Sequence, residues 1–192
     1  MTKNEVLAWL KENGSKRNVE GLARYGIVAP KAFGVTMGAM LKFAKQMDAW
    51  TAEFDNWGVC DTVCWHLFYE TPFIWKKARQ WSKSPREFVK RAGFVMMAGL
   101  VKHDRAASDA EFKTLFPLIE AGARDERNFV KKGVSWALRR IGTRNLPLNG
   151  AATALAARLA KSEHPASRWV GSDAYRYLTN PKGGLALARR AS

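Results

Sequence analysis

The chain's 192 residues are enough for one large domain or a short solenoid of stacked helices, either with a sizeable core, and leave little room for a second independent domain. Hydrophobic residues make up 47% and charged residues 26%, close to soluble globular averages, so the composition does not favour a disordered chain. Lys and Arg number 32 against 17 Asp and Glu, a formal net charge of +15; solubility alone does not need such a bias, which points to a polyanion, with nucleic acid ahead of an anionic membrane surface.

Apolar spacing of period 3.6 recurs along the whole chain, and no stretch alternates like a strand between hairpin turns, so the fold class is all-α. The N-terminal MTKNEVLAWLKENG reads as an amphipathic helix over 3–12. Its charges interrupt the apolar centre that a signal peptide would need, and a cytoplasmic protein is expected. Helices are predicted next over 18–25 and 37–47, so that residues 1–47 form N-terminal helices. The rest of a single 1–192 domain, residues 56–192, would carry helices over 60–70, 73–82, 86–102, 109–121, 127–141, 149–161 and 166–178. The longest apolar run, Gly93 to Val101, falls far short of the roughly 20 residues that cross a bilayer.

Several of these helices carry explicit start and stop signals. Ser84-Pro85-Arg86-Glu87 reads as a capping box with proline at the first helical position, and Ser108-x-x-Glu111 as a second box. Pro72 and Pro165 also sit where helices should begin. Gly142 follows Arg139-Arg140-Ile141, the pattern of a helix end with basic residues at its negative pole. The two cysteines, Cys60 and Cys64, share a helix face and are read as small packed hydrophobes, since zinc would lack a ligand even with His66.

An internal repeat decides the expected architecture. Phe88-Val89-Lys90-Arg91 opens one helix and Phe129-Val130-Lys131-Lys132 opens another 41 residues later, a period inside the roughly 40–47 residues of HEAT and armadillo helix pairs. Trp169 to Leu178 is a weaker candidate for a third copy. Two amphipathic helices can share a short pattern by chance, and the chain would then still be helical. If the repeat is real, stacked pairs give a HEAT/ARM-like superhelix whose equivalent helices line a concave and, here, basic groove.

Eight tryptophans are many for this length, and most should pack in the core. Three positions beside charge stand apart. Trp57 precedes Asp61 by four residues, so at a helix start indole and carboxylate would project together. Trp136 follows Lys131-Lys132 by about one turn, and Arg91 opens the apolar part of the earlier copy. Each has an alternative: Asp61 could cap the 60–70 helix, the tryptophans could be core, and Arg91 could face solvent.

At these residues the sequence resembles the AlkD-like, HEAT-repeat class of DNA alkylation repair enzymes. The resemblance runs from about Asn56 to about Gly142, through Trp57-x-x-x-Asp61, Phe88-Val89-Lys90-Arg91-Ala92 and Phe129-Val130-Lys131-Lys132-Gly133-x-x-Trp136-x-Leu138-Arg139. It implies a site at Trp57, Asp61, Arg91 and Trp136: the tryptophans pack on the damaged nucleotide's sugar and backbone, the aspartate supports bond cleavage, and the arginine holds a phosphate. It also implies excision of an alkylated purine from duplex DNA without full extrusion of the base.

Two departures from the family's pattern stand out. Where the family usually carries a further helical hairpin before the tryptophan, this sequence runs straight through Asp48 to Asp55, so either the protein lacks the hairpin or the sequence omits its residues, and Gly58 stands where many members have an acidic residue.

The chemistry is consistent with these residue types. A purine alkylated at N3 or N7 is cationic and leaves as a neutral base, so no general acid is needed. Positive charge instead builds on the sugar, where a carboxylate such as Asp61 stabilises it and positions water. Indole faces add cation–π attraction of about 0.5–2 kcal/mol each.

The expectation is a monomeric DNA glycosylase for N3- or N7-alkylpurines, with no cofactor or metal. Phosphate contacts are expected from Lys90, Lys131, Lys132, Arg139 and Arg140, and less surely from Arg168. The alternative is a non-catalytic binder of damaged or branched DNA on the same scaffold; a scaffold for an acidic protein partner ranks third.

Overall fold

A computed structural model of the chain describes residues 37–191 together with Ala8 and Glu12. Those two positions are helical; the helices expected over 3–12 and 18–25 otherwise lie outside the described residues. Every regular element among the described residues is helical: α1 (Met37–Ala52), α2 (Trp57–His66), a 3-10 turn (Phe68–Glu70), α3 (Ile74–Trp81), α4 (Glu87–His103), α5 (Asp109–Lys113), α6 (Phe116–Gly122), α7 (Asn128–Ile141), α8 (Leu146–Ala160), α9 (Pro165–Thr179) and α10 (Gly184–Ala191). None of them is long and apolar enough to cross a membrane. The chain divides into two compact units, Met1–Trp50 and Thr51–Ser192, and everything from α2 onward belongs to the second.

Local chemistry sets the helix starts, in places against the sequence expectation. Helix α2 begins at Trp57 rather than at residue 60 because the Asn56 side chain caps it, accepting from Val59 N at 2.9 Å. Asp61 is therefore a mid-helix residue, which overturns its reading as a cap. Ser108 and Glu111 form the expected reciprocal capping box at α5. Ser84 does not cap α4: its Oγ accepts from Arg86 N at 3.2 Å, and the helix starts only after Arg86. Pro165 occupies the first turn of α9, while Pro72 lies two residues before α3, ahead of its N-cap Phe73. The helix predicted over 109–121 breaks at Thr114–Leu115, α8 starts three residues before the predicted 149, and α10 was not predicted.

The same start device recurs in three helices, α4, α7 and α9. Each opens after an extended residue, Arg86, Arg127 and His164, whose backbone N–H is held by the side chain two residues earlier, from Ser84, Asp125 and Ser162. These positions are spaced by 41 and then 37 residues, so the device recurs a third time at a slightly shorter spacing. Phe88 and Phe129, equivalent in the first two copies, meet with ring centroids 5.5 Å apart. The capping residue also reaches back one repeat: Arg127 Nη1 donates to Pro85 O at 2.7 Å, and Arg86 donates to Ala52 O.

Within the second unit, α2, α4, α7 and α9 form one row, each packed on the next. Helices α3, α5–α6 and α8 lie behind them, as the first members of pairs with α4, α7 and α9. The back row is joined by Trp75 against Phe112 at 5.4 Å and by Arg158 with Glu120 at 2.8 Å. The predicted apolar run is the buried centre of α4, with every residue from Arg91 to Leu100 inside. Two glycines permit the close pairing. A Cβ on Gly93 would stand 2.2 Å from Ser82 N in the turn after α3, and one on Gly171 2.2 Å from Ala160 N of α8. Both glycines fall seven residues after their repeat's capping residue.

Candidate functional site

Because α2 starts at Trp57, residues 57, 61 and 65 form one stripe at helical spacing, an indole, a carboxylate and a second indole. Trp57 is 54% exposed. Arg91 on α4 meets Asp61 fork to fork: its Nε donates to Oδ1 at 2.9 Å and Nη2 to Oδ2 at 2.7 Å, while Nη1 donates to Phe129 O on α7 at 2.7 Å. One guanidinium thus ties three neighbouring helices together through three of its five N–H groups. Its side chain is 8% exposed and that of Asp61 20%.

Trp136 on α7 joins the stripe by stacking on Trp65, with centroids 5.7 Å apart and planes 13° from parallel. Behind them His103 packs on Tyr69 at 4.6 Å. Its imidazole is pushed below its ordinary value first by burial and then by Lys102, against an opposing pull from Glu70. The Nε2 of His103 is buried without a hydrogen-bond partner. Cys60 and Cys64 are buried free thiols, as their reading as small hydrophobes expects, and burial pushes Cys64 well up.

Beside the stripe lies an open cleft of about 430 Å³ walled by Arg91, Lys132, Trp136, Arg139, Trp169 and Asp173. Arg91 links Asp61 to this cleft, and Trp57 stands outside its walls. Arg139 lies 3.7 Å from Asp173 and over the Tyr177 ring at 5.1 Å. Asp173 also accepts from Ser135 Oγ at 2.6 Å and from Arg176 at 3.2 Å.

The expected phosphate contacts divide. Lys132 and Arg139 line the cleft, and Lys131 lines a neighbouring one. Arg140 is half-buried, its Nε without a hydrogen-bond partner. Lys90 is engaged elsewhere, on Asp125 at 2.9 Å, where Arg127 first and Lys90 second hold the carboxyl well below the usual range. Arg168 donates to Ser162 O and Glu163 O in the loop before its own helix.

The sequence reading missed Trp65, Trp169 and Asp173. A signal was present, since Trp169-x-x-x-Asp173 repeats the spacing of Trp57-x-x-x-Asp61 and Trp65 continues that stripe by another turn.

A family model described as "DNA alkylation repair enzyme" matches residues 42–178, well over half of the chain. No curated protein and no solved structure matches it.

Proposed function

Because this chain belongs to the DNA alkylation repair enzyme family, with repair as its role and DNA as its partner, we propose that it is a glycosylase that hydrolyses the N-glycosidic bond of N3- and N7-alkylated purines in duplex DNA without fully extruding the base. The observation that carries this reading is the oriented carboxylate. Arg91 holds both oxygens of Asp61, whose side chain stays 20% exposed, and Arg91 itself walls the cleft together with Lys132, Arg139, Asp173 and two indoles. An alkylated purine is already a good leaving group, so the site needs only to stabilise the positive charge growing on the sugar and to aim water at it. A fixed anion does that without reorganising.

In this reading Arg91 and Lys132 meet backbone phosphates, and Trp57 and Trp136 pack on the sugar of the damaged nucleotide. The binding surface is the row α2, α4, α7 and α9, the inner face of a HEAT-like stack whose groove is basic. The chain needs neither cofactor nor metal for this chemistry and acts as a monomer.

The test is release of N7-methylguanine from methylated duplex DNA, followed by mass analysis of the free bases. The native chain should release it. Asp61→Asn should lose at least about 100-fold in rate, the scale of one preorganised electrostatic group, while DNA affinity stays within a few-fold. Full activity in Asp61→Asn would refute the role. The bidentate Arg91–Asp61 pair is also what a purely structural ion pair looks like, and it favours a second reading, a non-catalytic binder of damaged or branched DNA. Binding by the native chain with no base released would select that reading.

A further inference from the structure

Two clefts of the second unit share one wall, the indole of Trp169. The first is the cleft described above. The second, about 350 Å³, is walled by Glu126, Lys131, Pro165, Ala166 and Trp169. Consecutive lysines of α7 divide between them: Lys132 lines the first cleft, and Lys131 lines the second with its Nζ 5.3 Å from the centre of the indole. Trp169 is 38% exposed, so the ridge it forms is open. One turn further along α9, Asp173 is tied to α7 by Ser135 Oγ at 2.6 Å and by Arg139 at 3.7 Å, which fixes the ridge against the helix carrying the two lysines.

An open aromatic ridge with one cation in the hollow on each side matches the chemistry of a nucleic-acid backbone, where each nucleoside is flanked by two phosphates. We propose that Trp169 is a saddle over which one DNA strand crosses: a nucleoside packs on the indole, and its flanking phosphates enter the two clefts, on Lys132 and on Lys131. This rests on the DNA-acting reading above and extends the contact surface beyond Asp61, along α9. The saddle positions DNA and takes no part in bond cleavage. Glu126, 4.0 Å from His164 Nε2, leaves the second cleft less cationic than the first, which holds Arg91, Lys132 and Arg139. Lys132 is therefore the stronger of the two phosphate contacts.

The experiment is fluorescence anisotropy with an unmodified duplex over a series of salt concentrations, with thermal melts of every variant and the N7-methylguanine release assay on the native chain. Lys131→Ala and Lys132→Ala should each flatten the slope of log affinity against log salt by about 0.9. Trp169→Ala should weaken binding about 5- to 100-fold, as loss of one stacking platform does, with the slope unchanged. Trp169→Phe keeps an aromatic face and should recover most of that loss, which separates a lost platform from a damaged fold. If the native chain binds DNA and releases base while Trp169→Ala binds equally well, or while both lysine variants keep the native slope, the saddle is overturned and the DNA reading survives. A native chain with no salt-dependent DNA binding overturns both.

Discussion

Arg91 satisfies two demands at once, since a guanidinium almost sealed from water must have its donors matched and a carboxylate meant to face a reacting sugar must be held still. The fork on Asp61 and the third bond to Phe129 O meet both. Arg91→Lys keeps the charge but not the fork, and is expected to lower base release more than it lowers DNA affinity. Arg91→Ala leaves Asp61 without its partner and should cost roughly 3 kcal/mol of stability, read by denaturant titration.

Two titrations shape the acid side of the pH dependence of stability. Burial lowers His103 in the folded chain, so the unfolded chain takes up a proton near its ordinary value of 6.5 first, and stability falls as pH drops below about that value. His103→Gln should flatten that limb. Asp125 is depressed in the folded chain, so its contribution is complete above its ordinary 3.8 and is lost as pH falls below it. Asp125→Asn should remove this lower limb and leave the upper one, both measured by melts across pH.

Helix starts show how local chemistry and packing divide the work. The Ser108 box satisfies orphan donors by itself, was visible in the sequence, and Ser108→Ala should cost about 1 kcal/mol. Ser84 carries the same sequence signal but closes a tight turn on Arg86, because the chain must bend there to bring α4 back against α3. Its pattern was legible and its partner was not. The glycines of the repeats were likewise unreadable one at a time, since only the crossing of α3 with α4 and of α8 with α9 makes a side chain intolerable there. Gly93→Ala and Gly171→Ala should each destabilise by about 1–3 kcal/mol or more, against little change for Gly150→Ala, whose Cβ would meet nothing within 4 Å.

For the molecule as a whole, a net charge of +15 predicts fast, salt-sensitive capture of DNA. Five phosphate contacts, from Arg91, Lys131, Lys132, Arg139 and Arg140, would give a slope of log affinity against log salt of about −4.5, at about 0.9 per phosphate. Lys90→Ala should change that slope less than Lys132→Ala, because Lys90 would have to leave Asp125 first.

The sequence by itself determined the helical class, the excess of cations and the repeated Phe-Val-Lys motif, because helical periodicity and composition are properties of neighbouring residues. It also supplied Trp57, Asp61, Arg91 and Trp136 as candidates. Only the tertiary structure decided which partners they take. Asp61 with Arg91, Trp65 with Trp136 and Asp173 with Ser135 join residues 30 or more positions apart, and such pairs depend on the register in which one helix packs on the next. That register is set by side-chain volumes and glycine contacts summed over the whole stack, which no single stretch of the chain contains.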